Sequence, residues 1–296
     1  MLSPAPPWAG FHRRVFRTLT LSLLSVWLIL FVLVPNLLVV GLSLLNRDSL
    51  GSIDWTLTLD NYRRLLDPIY LRVFLHSLGL ALSATLLCLV LGYPFAYGMA
   101  RARTELRPLL LTLVIIPFWT NSLIRIYAIR GLLAVKGILN AGLIGLGLVE
   151  EPLRLLYTPA AELLGLVYVL LPFMILPLYG ALEKLDPRLL EAARDLGAGA
   201  FRTLLHVILP LTLPGIVAGC LLVFLPALGL FYVSDVLGGA RSLLVGNLLK
   251  DQFLDAQDWP FGSAASVVMI VLLFSFLLTY AWAERRFSGA GTDRTE

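Results

Sequence analysis

Apolar residues run along this chain in stretches too long and too continuous to be the faces of a soluble fold. A helix that crosses a bilayer needs about 20 mostly apolar residues, and six stretches meet that condition: 19–45, 72–98, 108–128, 159–182, 207–231 and 262–283. Prolines fall inside or at the ends of these spans, at Pro35, Pro94, Pro117, Pro172, Pro177, Pro210, Pro214 and Pro226. A packed bundle tolerates them when neighbouring helices satisfy the backbone groups that proline frees, so they are expected to act as kinks and hinges. The stretch 131–149 has nearly the length of a span, yet it carries Lys136, Asn140 and five glycines. It is expected to lie at the outer surface as a helix or re-entrant segment.

The main polar interruption lies between Leu182 and Ile216. Asp186 followed by Pro187 is a helix-start signal, because the carboxylate accepts from free backbone N–H groups and proline suits the first helical position. The next residues are amphipathic, with Leu189, Leu190, Ala193 and Leu196 on one side and Arg188, Glu191, Arg194 and Asp195 supplying charge. Gly197 and Gly199 break the pattern, and a second helical stretch from Phe201 runs directly into Val207-Ile208-Leu209-Pro210. Residues 186–206 therefore form a bent arm rooted in a membrane helix.

Charge adds an orientation. Six crossings place both termini and the arm on one side, with Arg13, Arg14, Arg17, Arg101, Arg103, Arg107, Lys184, Arg188, Arg194, Arg202, Arg285 and Arg286 there. That is the basic excess expected of the cytoplasmic side. Arg47, Arg63, Arg64, Arg72 and Arg154 fall outside, offset by Asp48, Asp54, Asp60, Asp67, Glu150 and Glu151. A seventh crossing at 131–149 would set the arm opposite the basic N-terminus. The expected organisation is a cytoplasmic tail (1–18), a membrane domain (19–284) and a second cytoplasmic tail (285–296). The apolar run after the basic N-terminus exceeds a signal-peptide core and is read as a retained helix.

Composition narrows the function classes. With 58% hydrophobic and 14% charged residues, the chain is an integral membrane protein, and its net charge of +4 argues orientation rather than nucleic-acid binding. Cys88 and Cys220 lie in apolar spans without metal-ligand spacing and read as packing residues. No G-x-x-x-x-G-K-[ST] phosphate loop occurs, so ATP is left to another subunit. His12, His76 and His206 are scattered and form no catalytic set. No enzymatic activity and no metal site are expected of the chain.

The arm resembles the signature of the permease subunits of ABC importers: glutamate-alanine-alanine, three residues, glycine, nine residues, isoleucine, any residue, leucine-proline. Here it reads Glu191-Ala192-Ala193, Gly197, Val207, Leu209 and Pro210, with valine the only departure. The resemblance implies an all-α, polytopic permease of the type I fold, with six transmembrane helices and a cytoplasmic coupling helix that docks on an ATPase subunit. Further segments, among them LDNYRRLLDPIYLRVFLHSL, IPFWTNSLIRIYAIRGLL, LLPFMILPLYGALEKLD and DWPFG, are similar to the first permease subunits of bacterial spermidine/putrescine importers. The similarity runs in order over about residues 25–285. It implies a homologous second permease, two ABC ATPases that hold ATP and magnesium, and a periplasmic polyamine-binding protein as partners. No cofactor is expected on this chain.

A polyamine needs carboxylates for its ammonium groups and aromatic faces for the methylenes between them. Phe118-Trp119-Thr120-Asn121 and Phe231-Tyr232-Val233-Ser234-Asp235 offer such groups near span ends. Trp119, Asn121 and Tyr232 are read as lining the passage and Asp235 as attracting the cation. Trp119 and Tyr232 equally suit an interfacial aromatic belt, and Asp235 equally suits a cap on the turn at Gly238-Gly239. Arg125 would repel a cation, and is expected to snorkel or to pair with an acid. Asp251, Asp255 and Asp258 read as a solvated acidic face, with docking or cation attraction as the alternative. An ion-coupled secondary transporter would want a mid-bilayer carboxylate and usually an internal repeat, and a non-transporting scaffold leaves the polar and aromatic groups in the spans unexplained. The same machinery with another small solute is the more serious alternative.

Overall fold

The computed structural model describes residues 9–48, 53–239 and 243–289. Residues 1–8 and 290–296, the outer parts of the two expected tails, lie outside the described residues, as do the side chains of Arg13, Arg14, Arg17, Arg285 and Arg286. The chain divides into two compact units, Met1–Leu66 with Gln252–Leu272, and Asp67–Asp251 with Leu273–Glu296.

In the first unit, α1 (Ala9–Leu28) passes through a π-helical turn at Ile29–Leu33 into α2 (Val34–Ser43). Pro35 at the start of α2 lacks the N–H that a regular turn would use, and a widened turn just before it is one way to absorb that loss. The stretch Thr18–Ser43 is unburied along its most apolar part, so its leucines and valines are left for lipid or another chain. Two strands follow that the helical reading of the sequence did not anticipate, β1 (Leu45–Arg47) and β2 (Ile53–Leu57), paired antiparallel with Arg47 opposite Ile53. The short helix α3 (Asp60–Leu65) locks onto this ribbon. Its buried Asn61 donates to the carbonyls of Ser43 (3.3 Å) and Leu45 (2.8 Å), and its Tyr62 hydroxyl meets Ser43 Oγ at 2.7 Å.

The second unit is built on α4 (Pro68–Arg101), then α5 (Arg107–Ile115), α6 (Ser122–Leu133), α7 (Ile138–Gly145) and α8 (Pro159–Glu183). After α9 (Pro187–Asp195) and α10 (Ala200–Thr203), a π-helical turn leads into α11 (Leu209–Gly229). The chain continues through α12 (Phe231–Val233), a π-helical turn at Ser234–Gly238, and α13 (Val245–Lys250) to α14 (Trp259–Gly289). Among the described residues, five helical stretches are long and apolar enough to cross a membrane, and the count is six if one bent pair is taken as a single span. The stretch 108–128, expected as one span, is not one straight helix: Arg107–Trp119 and Ser122–Gly145 meet at 90°. Pro117 and the Asn121 cap explain the break, since proline withholds a donor and Asn121 Oδ1 accepts from Leu123 N at 2.8 Å, starting a new helix. Residues 131–145 of the glycine-rich stretch belong to that second limb, which ends at Gly145.

α4, α8 and α11 pack together as the core of this unit. Hydrocarbon gives no hydrophobic drive between spans, so close backbone approach and interhelical hydrogen bonds must hold them. Tyr93 of α4 meets Thr212 of α11 through their hydroxyls at 3.0 Å, and Ser77 Oγ accepts from Val245 N, an otherwise orphaned donor in the first turn of α13, at 2.8 Å. Gly215 sits where α11 crosses α8, and a Cβ there would lie 2.5 Å from Ala181 Cβ and 2.9 Å from the Pro177 carbonyl oxygen. Both are stiff neighbours. Cys88 is buried and Cys220 half-buried, both as free thiols.

Replacing Gly215 with valine is expected to destabilise the purified protein by about 1–3 kcal/mol, the usual range for overpacking. Gly180→Ala, where nothing lies within 4 Å of the added carbon, should leave the thermal midpoint unchanged. Equal midpoints for both variants would contradict the close-approach reading.

Candidate functional site

The arm starts where its sequence says it should. Asp186 Oδ1 accepts from Arg188 N at 2.9 Å, with Pro187 in the first turn of α9. Leu190 and Ala193 are buried, while Glu191 and Ala192 face solvent. The expected apolar side is therefore divided, because Leu189 and Leu196, assigned to it, remain 46% and 88% exposed. Phe201, in the next short helix, is likewise 71% exposed. Gly197 adopts φ +78°, the left-handed region glycine reaches without strain, and two hydrogen bonds close the helix end, Gly197 N to Arg194 O (2.8 Å) and Ala198 N to Ala193 O (3.0 Å). Beyond it the π-helical turn Leu204–Ile208 precedes Leu209 and Pro210. Thr212 Oγ1 donates to the Ile208 carbonyl at 2.8 Å, giving that carbonyl a partner beside the proline.

One contact near the arm was not legible in the sequence. Glu183, the last residue of α8, accepts from the Tyr179 hydroxyl at 2.6 Å and lies 3.7 Å from Arg107 at the start of α5. It ties the arm's root to the short 101–107 connection. The two residues are 76 positions apart (183 − 107), and nothing local pairs them.

Of the four proposed path residues, two come together. Asn121 and Tyr232 line one pocket of about 470 Å³ with Phe118, Phe173, Ser122 and Arg125, at the break between α5 and α6. Phe118 and Phe173 meet edge to face at 4.9 Å. Trp119 is not among the lining residues and is 80% exposed, because the turn at 116–119 swings its side chain away. Among the described residues Arg125 pairs with no acid. Its guanidinium lies 5.7 Å from the Tyr168 ring centre, and its buried Nε has no hydrogen-bond partner among the described residues.

Asp235 lines a different pocket, of about 700 Å³, with Arg154, Tyr157, Thr158 and Gly239. Tyr157 holds φ +64°, a strained value for a bulky residue. Its hydroxyl accepts from Arg130 at 3.1 Å, and its ring packs on Gly239. Among the described residues Asp235 makes no hydrogen bond to the Gly238-Gly239 turn; one carboxylate oxygen accepts from Asn247 Nδ2 and the other from Lys250 Nζ at 2.9 Å. Glu162, at the start of α8 as expected, is fully buried, which the sequence did not signal.

The three aspartates read as one acidic face have separate fates. Asp255 is exposed, and Asp251 lies 3.7 Å from Lys250. Asp258 is buried: it accepts from Phe261 N (3.2 Å) at the start of α14 and pairs with Arg64 (3.1 Å) and, more distantly, Arg47 (3.9 Å). Arg64 also stacks 4.2 Å over the Phe261 ring. A solvated face is the wrong description for Asp258, because two arginines and a helix N-terminus compensate its burial.

A family model described as the binding-protein-dependent transport system inner membrane component matches residues 89–289. The chain is 56% identical over 270 residues to the spermidine/putrescine transport system permease protein PotB of Salmonella typhimurium (strain SL1344), covering 91% of this chain and 94% of that one. It is 57% identical over 259 residues to the protein of the same name in Escherichia coli (strain K12), covering 88% and 94%. Among solved structures, a bacterial alginate ABC transporter in complex with an alginate pentasaccharide-bound periplasmic protein superposes with a TM-score of 0.73 at 17% identity, covering 95% of this chain and 97% of that one.

Asp258→Ala is expected to destabilise the protein by about 1–2 kcal/mol, since it removes the charge partner of two partly exposed arginines and the cap on the buried Phe261 N–H. Asp255→Ala should stay within about 0.5 kcal/mol of the parent. Thermal unfolding of the detergent-purified protein separates them, and equal midpoints would restore the solvated-face description.

Proposed function

The chain belongs to the family of binding-protein-dependent transport system inner membrane components, and from that premise we propose that it is a permease subunit of a polyamine importer. It is a multi-pass inner-membrane protein with the ABC-importer permease fold. The observation that carries the cargo is the 56% identity, spread over 91% of the chain, to a spermidine/putrescine permease. Partial likeness through the arm alone would leave the cargo open.

In this reading both termini and the arm face the cytoplasm, with the bent pair counted as one crossing. A second permease completes the path, two ATPases carry ATP and magnesium, and a periplasmic binding protein delivers the polyamine. The chain itself performs no chemistry. ATP-driven closure of the ATPases pushes on Glu191 to Gly197, and the arm passes the motion to α8 and α11 in which it is rooted. The exposed Leu189, Leu196 and Phe201 suit a cleft on the ATPase, with the exposed Ala192 allowing close approach and the buried Ala193 seating the helix on the chain beneath it, and Leu209 and Pro210 set the angle at which the arm enters α11. On the opposite side, Asn121 and Tyr232 border the passage, and Asp235 supplies the carboxylate that a cation meets. The exposed Trp119 stays in the proposal only as an interfacial or partner-facing residue.

The arm's shape gives the test. Valine at Gly197 meets no steric neighbour but must adopt a left-handed backbone, a strain of about 1–2 kcal/mol. Gly197→Val is expected to abolish most spermidine uptake in cells lacking the native subunit, by loss of ATPase docking or of coupling. Gly197→Asn, which tolerates that backbone, should retain it. Co-purification of the ATPase separates lost docking from lost coupling. If the intact chain assembles with the ATPase and imports neither spermidine nor putrescine, the cargo is another small solute.

A further inference from the structure

The surroundings of Asp235 already hold an alkylammonium, the chain's own. Lys250 carries its ammonium at the end of four methylene groups; Nζ donates to Asp235 Oδ2 at 2.9 Å and lies 5.8 Å from the Phe231 ring centre. A carboxylate with an aromatic face beside it is the environment that an amine ligand requires. The two partners differ in freedom. Asp235 is fixed through its other oxygen by Asn247, whose amide also reaches the Phe231 carbonyl at 3.2 Å and whose Oδ1 accepts from Leu244 N at 3.3 Å. Lys250 sits on a flexible stem. Its ammonium has a second carboxylate within reach, Asp251 Oδ1 at 3.7 Å.

Resting on the polyamine reading above, we propose that Lys250 is a tethered competitor of the substrate: its ammonium fills the Asp235 subsite in the empty permease, and an incoming alkylammonium displaces it onto Asp251. The exchange conserves charge pairing. Asp235 trades one ammonium for another, and the lysine moves from one carboxylate to the next, so no charge is stranded. The pair is partly open, with 29% and 39% of the two side chains exposed, and a partly hydrated pair of this kind is weak enough to exchange. Sodium or potassium, with no methylene chain to lie on Phe231, gains only the charge and leaves Lys250 in place. The lysine thus sets a threshold that an amine with an apolar chain overcomes.

The test is equilibrium binding of radiolabelled spermidine to the detergent-purified permease–ATPase complex without binding protein, alongside uptake by complemented cells. Lys250→Met keeps the length and removes the competitor, and is expected to tighten binding about three-fold. Lys250→Arg holds the carboxylate in a firmer two-pronged grip and should weaken binding by a similar factor. Asp235→Asn should weaken it about ten-fold, the larger effect of losing the subsite itself. Unchanged or weaker binding by Lys250→Met in an assembled complex overturns the proposal, because a merely structural lysine predicts that. If Lys250→Met fails to assemble, parent-like affinity of Lys250→Arg overturns it instead. Uptake by the parent with no effect of either lysine variant removes the competitor and leaves the polyamine reading standing; no uptake and no binding by the parent removes both.

Discussion

Lipid tails are as apolar as leucine, so no hydrophobic force gathers the spans of this protein, and its core depends on how closely helix backbones approach. Where α11 crosses α8, Gly215 leaves no room for even one carbon against Ala181 and the Pro177 carbonyl. That contact places α4, α8 and α11 side by side, with the Tyr93–Thr212 hydroxyl pair joining α4 to α11. The arm at 186–206 grows from one of these helices and re-enters another. A push on it is delivered to the packed core rather than to a lone span.

Polar groups then divide the labour that lipid forbids to water. Ser77 satisfies the first turn of α13 from α4, and Thr212 donates to the Ile208 carbonyl, two residues before Pro210. At Asn121 a side-chain cap turns the helix path by a right angle and opens a pocket edged by Phe118, Phe173 and Tyr232. A proline and a cap therefore create the concavity that a straight span would have filled. The same economy appears at Asp258, where one buried carboxylate starts α14 and holds Arg64.

Charge in this protein is paired more than it is displayed. Asp235 is tied to Asn247 and Lys250, Glu183 to Tyr179 and Arg107, and Asp258 to Arg64 and Arg47. Apart from the Tyr179–Glu183 bond within α8, these pairs join separate elements of the chain. A permease for cations that displayed bare carboxylates would hold them too tightly to release, and paired ones leave affinity to an exchange of partners.

The sequence by itself determined five long apolar helices, the start of the arm and the family. Those signals are local: a run of about 20 apolar residues pays its transfer free energy within one helix, Asp186-Pro187 caps a helix with neighbours two residues away, and Gly197 is read from the backbone angle only glycine reaches easily. Tertiary structure alone decided which residues meet. Trp119 points away while its neighbours Phe118 and Asn121 border a pocket; Leu189 and Leu196 stay exposed beside buried Leu190; Asp235 finds Lys250 and Asp258 finds Arg64, 15 and 194 residues away. Helical periodicity fixes a residue's direction around its own axis, but which neighbour waits there depends on where helices cross and where they break. Those crossings are set by a few close contacts between distant segments, and no local pattern records them.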